Sequence, residues 1–521
     1  MKLHNMIMTA LVALVLISCS VQEDDVDGTA LTRLAQQVKA TGVVEKLAAM
    51  DGKLVAMDKK LEALERKVES GVRVVAPADT TAPDQSDGGT PTVDVVQPEQ
   101  ATELSDKPAE FQLTYEPPTK VRLVIWHSYR GKEKAVFEKL CRDFSAVYPK
   151  FDMEPQEVPF SALRDKLVVT IPRGEGPDLF IYAHNNIGDW LLKGDILVPL
   201  STYIDKFDSF EALDRFMPDT VKALAYDGTV YGYPMAYKSH ALFYNKALVK
   251  KAPATVDELI EMASAVMTRV DPAEEEDDDD DDDDDDEDDD RIFGLVYDSG
   301  LLYNHALWVQ AFGGRIMDEK GNALIDTPEM IKASQLVRTF VSPHGILPNL
   351  DDSMATFLFN ANQVAFVIKG PWFLGEIDES VDYGVAVLPE VATGKPGKPF
   401  LGSEGVFLSH CSQNKDAAFQ FLRYVTSYES AAQRLVAGSQ PVPNLAVYRD
   451  KALVARADPA LEVFRKQAEN TVIMSSRPAM QAVWSTVDNA LRKVIFGGAD
   501  AAKVMKQAQA KVDHDIAGMG K

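Results

Sequence analysis

Short apolar runs alternate with helical patterns along most of the chain, starting near Thr119. The run at 121–126 is typical of a buried strand, and segment 133–147 repeats apolar residues at every third or fourth position, as one helix face requires. A second strand is predicted at 178–182, and Asp227-Gly228 between two tyrosine-containing segments indicates a hairpin. Strands that alternate with helices in this way predict an α/β fold.

A run of 17 consecutive acidic residues, 274–290, separates a helical pattern at 256–269 from an apolar run at 292–297. Like charges at every position repel and bury no apolar surface, so we predict a disordered, solvated loop. The run lacks the glycine and the alternating ligands of an EF-hand loop, which argues against a calcium site. It carries most of the formal charge of −26, so the rest of the chain is mildly acidic and no nucleic-acid partner is expected.

The first 18 residues have the pattern of a secretory signal. Lys2 and His4 precede an apolar stretch, 6–17, that is shorter than the roughly 20 residues of a membrane-spanning helix. Leu16-Ile-Ser-Cys19 resembles the bacterial lipobox. We therefore predict that residues 1–18 are removed and that lipidated Cys19 anchors the protein to a bacterial membrane, in the periplasm or at the cell surface. An ordinary signal peptide with an incidental cysteine is the alternative.

After a spacer at 19–42, apolar residues from Val43 to Val68 recur at alternating steps of four and three. This heptad spacing predicts a coiled-coil helix at 43–70 and self-association of the chain. The alternative is a solitary amphipathic helix that packs on the main domain. Residues 71–118 are rich in Pro, Thr, Asp and Gln, which predicts a disordered linker.

The sequence offers little for catalysis. It has no nucleophile-elbow, zinc-protease or phosphate-loop motif, and its eight histidines lack metal-ligand spacing. We expect no enzyme activity, no cofactor and no metal. Cys141 and Cys411 do not form a disulfide framework, and two separate buried thiols are preferred over a bridge between them. Trp308 falls on a helical face and is expected in the core.

Five short segments carry a family resemblance. They are Leu123–His127, Gly176–His184, Gly232–Ala236 with Tyr244–Lys246, Gly370–Trp372 and Met480–Trp484. In order and spacing they resemble the maltose/maltodextrin-binding proteins of the family 1 extracellular solute-binding proteins. This resemblance implies a two-lobed, type II-like periplasmic binding protein fold, in which the chain crosses between lobes three times.

By the same resemblance, the solute-binding domain spans 119–521. Its first lobe holds about 119–238 and 404–455, and its second lobe holds about 239–403 and 456–521. The stalk and linker that precede it are additions to the family pattern.

The resemblance also implies a sugar site, which needs aromatic platforms and planar polar groups. Trp372 and Trp484 match tryptophans that stack on sugar rings, and Gly370-Pro371 indicates a turn that projects the Trp372 ring into a cleft. Tyr303 matches a stacking tyrosine more loosely, because the Glu-Pro pair that flanks it in the family is absent. Tyr182 stands where the family has an aromatic residue.

Several polar positions depart from the family. Asn185 and Asn186 replace an Asp-Arg pair, and amides can still form paired hydrogen bonds with sugar hydroxyls. Arg130 lies in a loop where the family has Asp-Lys, and it can bind hydroxyls or a carboxylate. Lys238 stands where the family has a sugar-binding glutamate, so a donor replaces an acceptor. Glu404 supplies an acceptor at a lobe crossover, or else caps the hinge.

These features predict a lipid-anchored substrate-binding component of a carbohydrate ABC importer of the maltose/maltodextrin type. Its expected partners are an oligosaccharide, permease subunits in the inner membrane, the membrane itself and a second copy of the chain. Two alternatives stay open. One is a binding protein for another solute, such as an acidic sugar, and the other is a sensory or structural lipoprotein with the same fold. The sequence does not name the sugar.

Overall fold

The computed structural model describes residues 110–267 and 291–519. The predictions for the signal peptide, the spacer, the coiled-coil helix, most of the linker and the acidic run therefore lie outside the described residues.

The strands of the described residues are numbered in chain order. They are β1 (Val121–His127), β2 (Phe151–Glu157), β3 (Leu179–Ala183), β4 (Ala225–Tyr226), β5 (Thr229–Val230), β6 (Gly232–Lys238), β7 (Ala241–Asn245), β8 (Phe293–Val296), β9 (Val364–Lys369), β10 (Tyr383–Ala386), β11 (Glu390–Ala392), β12 (Lys395–Pro396), β13 (Phe400–Leu408) and β14 (Val472–Ile473).

The helices are numbered in the same way. They are α1 (Gly131–Val147), α2 (Phe160–Thr170), α3 (Ile187–Lys193), α4 (Ser201–Phe207), α5 (Pro218–Ala223), α6 (Val256–Val266), α7 (Leu302–Ala311), α8 (Pro328–Val341), α9 (Asp352–Asn360), α10 (Lys415–Val425), α11 (Tyr428–Gly438), α12 (Leu445–Arg449), α13 (Lys451–Val454), α14 (Ala460–Ala468), α15 (Met480–Ile495) and α16 (Ala501–Met519). Short 3-10 helices include His184–Asn186 and Pro371–Gly375.

The first lobe is built on a six-stranded sheet in the order β14-β13-β3-β1-β2, with β6 also paired to β13. Strand β1 is parallel to both β2 and β3. The carboxyl ends of these three strands therefore meet at one edge, which is where open α/β sheets bind ligands. Strand β13 runs antiparallel to β3 and β6 and places Glu404 beside Ala183 and Ala236.

The second lobe is built on a four-stranded sheet in the order β10-β7-β9-β8. Strand β9 is parallel to β8 and antiparallel to β7. All six residues of β9 are buried and the first five are apolar, as expected for a strand that is covered on both faces. The chain leaves the first sheet at Lys238 and enters the second at Ala241, so the connection between the lobes is short here.

Each lobe has its own hydrophobic core. In the first lobe, α1 packs on the sheet through Phe144, whose ring lies 5.1 Å from that of Phe151 and 5.3 Å from that of Phe421. Truncating a buried ring of this kind typically costs about 3–5 kcal/mol. In the second lobe, Trp308 is fully buried and donates a hydrogen bond to the Tyr297 hydroxyl at 2.9 Å. Its predicted place in the core is confirmed.

The predicted hairpin is present. Strands β4 and β5 pair Ala225 with Val230 and Tyr226 with Thr229, and Asp227-Gly228 forms the two-residue loop. Both loop residues have positive φ, 47° for Asp227 and 81° for Gly228, as a type I′ turn requires. The two-residue Asp-Gly signal therefore located this turn correctly.

The start of the folded domain needs a correction. Within 110–118, the alternating residues Phe111, Leu113 and Tyr115 pack against the core of the first lobe. The Phe111 ring meets the Tyr424 ring edge-on at 5.4 Å. The linker was predicted to extend to 118 because polar residues and prolines dominate this stretch. Its period-two apolar pattern nevertheless gives it a buried side, so residues 111–118 belong to the packed domain.

Cys141 and Cys411 are free thiols, as preferred from the sequence. Cys141 is buried in the core of the first lobe, where burial raises the pKa of its thiol. Cys411 packs against a different cluster, with its sulfur 3.6 Å from the Pro177 carbonyl oxygen. No helix within 110–267 and 291–519 is long and apolar enough to span a membrane. The same residues contain no group of three or more His, Cys, Asp or Glu side chains arranged to hold a metal ion.

Candidate functional site

A continuous row of rings lies at one edge of the second lobe, and we call it the aromatic row: Trp372, His240, Tyr303, Phe400 and Trp484. The His240 ring is 6.0 Å from Trp372 and 4.8 Å from Tyr303. Phe400 is 6.3 Å from Tyr303, nearly parallel to it, and 6.4 Å from Trp484. His240 and Phe400 are buried, whereas the other three rings are half-buried. The row thus presents three partly exposed platforms on a buried support.

The sheet of the second lobe determines where this row lies. Trp372 follows the carboxyl end of β9, and Tyr303 follows the carboxyl end of the parallel strand β8. His240 precedes β7, which is antiparallel to β9, so it reaches the same edge. The predicted platforms Trp372, Tyr303 and Trp484 are therefore brought together. His240 and Phe400 were not predicted, because their role depends on contacts distant in sequence.

Gly370 permits the turn that holds Trp372. A Cβ atom at this position would lie 2.0–2.5 Å from three ring atoms of Trp372, so only glycine leaves room for the ring to fold back on the backbone. Pro371 begins the following 3-10 helix. The predicted Gly-Pro turn is present, and its physical basis is this close approach.

Helices α7 and α15 fix the two other platforms. The backbone N–H of Leu302, at the start of α7, donates to Asp488 Oδ1 at 2.7 Å. Asp488 lies one turn after Trp484 on α15, so this bond ties the helix that carries Tyr303 to the helix that carries Trp484. Burial raises the pKa of the Tyr303 hydroxyl, which stays neutral and able to donate a hydrogen bond.

The facing edge in the first lobe carries the other predicted residues. Tyr182 lies near the end of β3, but its ring is only 6% exposed and is covered by Phe160. The two rings stack at 4.6 Å with an interplanar angle of 10°. Burial raises the pKa of Tyr182 to about 12. Phe160, which the sequence did not single out, is itself 50% exposed.

Asn185 and Asn186 follow β3 in a 3-10 helix. The Asn186 amide donates to Asn185 Oδ1 at 3.3 Å and accepts from Gln481 Nε2 at 3.4 Å. Gln481 is one turn before Trp484 on α15, in the other lobe. The asparagine pair thus meets the second lobe beside the Trp484 platform, where Asn185 is half-buried and Asn186 is buried.

Arg130 is the residue before α1 and is exposed. Within the described residues its side chain makes no hydrogen bond or ion pair, so the guanidinium is available to a ligand. The next residue, Gly131, has φ 48°, and a Cβ there would lie 3.9 Å from the Gly375 carbonyl oxygen in the turn that holds Trp372. The two lobes therefore approach each other closely at this point.

Lys238 and Glu404 belong to a buried charged group that we call the hinge cluster: Lys238, Glu404, Glu133, Tyr129 and Arg434. Lys238 Nζ lies 3.0 Å from Glu133 Oε1 and 3.8 Å from Glu404 Oε2. The Tyr129 hydroxyl donates to Glu404, and Arg434 donates to the Met235 carbonyl oxygen. Two cations and two carboxylates balance each other in a largely buried space. Both predicted residues belong to this cluster, and each is already paired.

The neighbouring carboxylates favour the charged form of Lys238. Burial alone would lower the pKa of Lys238, but the combined effect of Glu133 and Glu404 is larger, so the pKa lies above its usual value. Burial raises the pKa of Glu404, and the Lys238 ammonium opposes that rise. Lys238 is therefore a permanent ammonium whose charge is neutralised within the protein.

His184 joins three segments of the chain. Its Nδ1 accepts from the backbone N–H of Ser403 at 3.0 Å, and its Nε2 lies 2.7 Å from the Met474 carbonyl oxygen. The first contact requires an unprotonated Nδ1 and the second a protonated Nε2, which fixes the neutral tautomer. Burial lowers the pKa of His184 to about 4. This histidine holds β3, β13 and the segment after β14 together.

The amino-acid sequence is similar to those of known binding proteins. The chain matches the family model described as bacterial extracellular solute-binding protein over residues 139–463. A maltotriose-binding protein of Pyrococcus abyssi is 28% identical over 407 residues, 76% of this chain and 83% of that protein. A maltooligosaccharide ABC transporter solute-binding lipoprotein of Streptococcus pneumoniae is 25% identical over 357 residues, 68% of this chain and 79% of that protein.

A solved structure shows the same fold. The maltose/maltodextrin-binding domain from Bdellovibrio bacteriovorus, bound to maltotriose, superposes with a TM-score of 0.65 at 23% identity, and the match covers 76% of this chain and all of that domain. The two-lobed α/β architecture and the family resemblance are thus confirmed. Because the family model spans more than half of the sequence, the chain belongs to the bacterial extracellular solute-binding protein family.

Proposed function

We propose that this protein binds a neutral oligosaccharide of the maltodextrin class between its two lobes. The observation that carries the proposal is the aromatic row, whose half-buried rings Trp372, Tyr303 and Trp484 lie together at one edge of the second lobe. Pyranose rings offer flat C–H faces with hydroxyls at their rims, and rings of this kind complement those faces. The maltotriose and maltooligosaccharide ligands of the relatives support maltodextrin as the class.

Polar groups around the row suit sugar hydroxyls. The half-buried amides of Asn185 and Gln481 carry donors and acceptors, and Arg130 offers a planar fork of donors. Asn186 is buried and bonds to both of these amides, so it supports them. The charges of the hinge cluster neutralise each other, so Lys238 does not present an unpaired cation to a ligand. Lys238 therefore gives no reason to prefer an acidic sugar.

Lobe closure supplies the mechanism. The chain would cross between the lobes near 238–241, near 400–404 and near 455, and these connections would bend as a hinge. A sugar held by the rings of one lobe and the amides of the other stabilises the closed form by its higher affinity for that form. The closed protein would then deliver its ligand to the permease of an ABC importer. Lipidated Cys19 would tether the domain to the membrane, and the 43–70 helix would associate two or more copies.

Calorimetric titration with maltose, maltotriose, maltotetraose and a uronic-acid oligosaccharide tests the binding proposal. We expect saturable binding of the maltodextrins and none of the acidic sugar. Preference for the acidic sugar would instead support a binding protein for another solute, with Arg130 as its cation. Absence of binding to every sugar would leave the aromatic row without its proposed role and would favour a sensory or structural lipoprotein.

Mass spectrometry of the membrane-extracted protein tests the anchor independently. A mature chain that begins at Cys19 and carries acyl chains is expected. An intact Met1 or an unmodified Cys19 would contradict the lipoprotein assignment without affecting the sugar-binding proposal.

A further inference from the structure

We infer that Phe160 is the ring in the first lobe on which a bound sugar stacks, and that Tyr182 beneath it is a positioning residue. The inference rests on the proposed function. The Phe160 and Tyr182 rings are stacked at 4.6 Å and 10°, and Phe160 is 50% exposed whereas Tyr182 is 6% exposed. One face of Phe160 is therefore covered by tyrosine, and the other is open to a ligand.

The position of Phe160 in the sheet supports this role. Strand β2 ends at Glu157, the Val158 backbone N–H donates to the His127 carbonyl oxygen at 2.8 Å, and Phe160 opens α2. The carboxyl ends of β1, β2 and β3 share one edge, so Phe160 lies at the same edge as Arg130 and Asn185. This edge is where a ligand of a parallel sheet is expected.

The support beneath the ring is rigid. The Tyr182 hydroxyl donates to the Phe160 carbonyl oxygen at 3.3 Å, and the Tyr182 ring packs 5.8 Å from the buried Trp190. Stacked rings and a backbone hydrogen bond limit the rotation of Phe160, so little side-chain freedom remains to be lost when a ligand binds. A half-exposed phenylalanine held in this way is preorganised for contact.

Phenylalanine restricts the chemistry of the contact. It has no hydrogen-bonding group, so it can take only an apolar surface, such as the C–H face of a pyranose whose hydroxyls point outward. Tyr182 cannot serve as the platform in this structure, because its exposed fraction is too small. The resemblance implies an aromatic sugar contact at Tyr182, and we assign that contact to Phe160, whose ring covers Tyr182.

Calorimetric titration of Phe160 variants with maltotriose tests the inference. Phe160→Ala is expected to weaken binding about tenfold, Phe160→Leu to weaken it less, and Phe160→Tyr to retain it, because tyrosine keeps the flat face. Phe210, also in the first lobe and 46% exposed, provides the matched control, and Phe210→Ala should bind as wild type. Melting temperatures should be similar for all four variants, since both rings are half in water.

A spectroscopic readout separates direct contact from a structural effect. Phe160→Trp and Phe210→Trp proteins labelled with 5-fluorotryptophan each gain one fluorine resonance. We expect maltotriose to shift the resonance at 160 and to leave that at 210 unchanged.

Wild-type maltotriose affinity in Phe160→Ala, with no shift at 160, would overturn the inference and leave the proposed function intact. If wild-type protein binds no maltodextrin, the proposed function fails and the inference fails with it.

Discussion

The ammonium of Lys238 lies 3.0 Å from Glu133 Oε1, and the two side chains are only 16% and 20% exposed. Glu404 lies 3.8 Å from the same ammonium, and buried Arg434 adds the second positive charge. Sequence comparison assigned Lys238 to the ligand because a sugar-binding glutamate occupies its position in the family. The structure places it in a network whose charges satisfy one another.

Lys238→Met should therefore destabilise the protein. It leaves Glu133 and Glu404 close together and poorly hydrated without a cation, and breaking a buried ion pair typically costs about 3–5 kcal/mol. Urea unfolding, followed by circular dichroism, measures the change. Lys134→Met is the matched control, because the Lys134–Glu157 pair is 38–39% exposed and such pairs contribute about 1 kcal/mol or less. Equal stability of the two variants would contradict a structural role for the hinge cluster.

Lys238→Glu should be more destabilising than Lys238→Met, because it adds a third carboxylate beside Glu133 and Glu404. Family comparison alone gives the opposite expectation, that this change restores a sugar acceptor and improves maltodextrin binding. Melting temperature and maltotriose affinity of the same protein distinguish the two. A stable Lys238→Glu protein with improved affinity would show that position 238 faces the ligand.

The neutral imidazole of His184 predicts a pH dependence of stability. Its pKa is lowered by burial to about 4, from 6.5, so between these values the unfolded chain binds a proton that the folded chain does not. The contribution of His184 is complete above about pH 6.5 and is lost as the pH falls toward 4, by about 3 kcal/mol in total. His184→Gln should therefore show a flatter fall in unfolding free energy over this range than wild type.

Urea unfolding between about pH 4.5 and 7.5 measures this slope. His344→Gln is a suitable control, because His344 is exposed, and its slope should match wild type. His127 and His240 also have pKa values lowered by burial to about 4, so part of the acid sensitivity will remain in His184→Gln. An unchanged slope in His184→Gln would show that the imidazole gains a proton in the folded protein.

Gly370→Ala tests the turn that holds Trp372. The new Cβ would lie 2.0–2.5 Å from the ring, so the ring must move, and we expect maltotriose affinity to fall at least severalfold while the protein stays folded. Gly375→Ala, at the end of the 3-10 helix that follows Gly370, is the control, since no atom lies within 4 Å of its added Cβ. Titration calorimetry compares them. Equal affinities would mean that the ring can shift without loss of ligand contact.

Local patterns predicted the local structure well. The strand at 121–126, the helix at 133–147 and the Asp227-Gly228 hairpin all appear, because apolar period and turn chemistry act within a few residues. Family resemblance named Trp372, Tyr303 and Trp484, and the structure brings them into one row although they are far apart in the sequence.

The features that the sequence did not predict are contacts between distant parts of the chain. Phe160, His240 and the Lys238–Glu133 pair depend on which distant side chains meet in the folded state, and no periodicity encodes those meetings. Phe160 follows strand β2, which the sequence pattern did not predict, so no sequence signal placed this ring at the edge of the sheet.

The platforms themselves give the most direct prediction. Trp372→Ala and Trp484→Ala should each weaken maltotriose binding at least about tenfold, because each removes a ring face that a sugar would cover on closure. Both rings are only half-buried, so the loss of affinity should exceed the loss of stability. Trp308→Phe is the converse control. Trp308 is fully buried and bonded to Tyr297, so its replacement should lower the melting temperature and leave affinity nearly unchanged. Calorimetry measures the maltotriose affinity of the three variants, and thermal unfolding measures their stability. If Trp372→Ala and Trp484→Ala keep wild-type affinity, the ligand does not lie on the aromatic row.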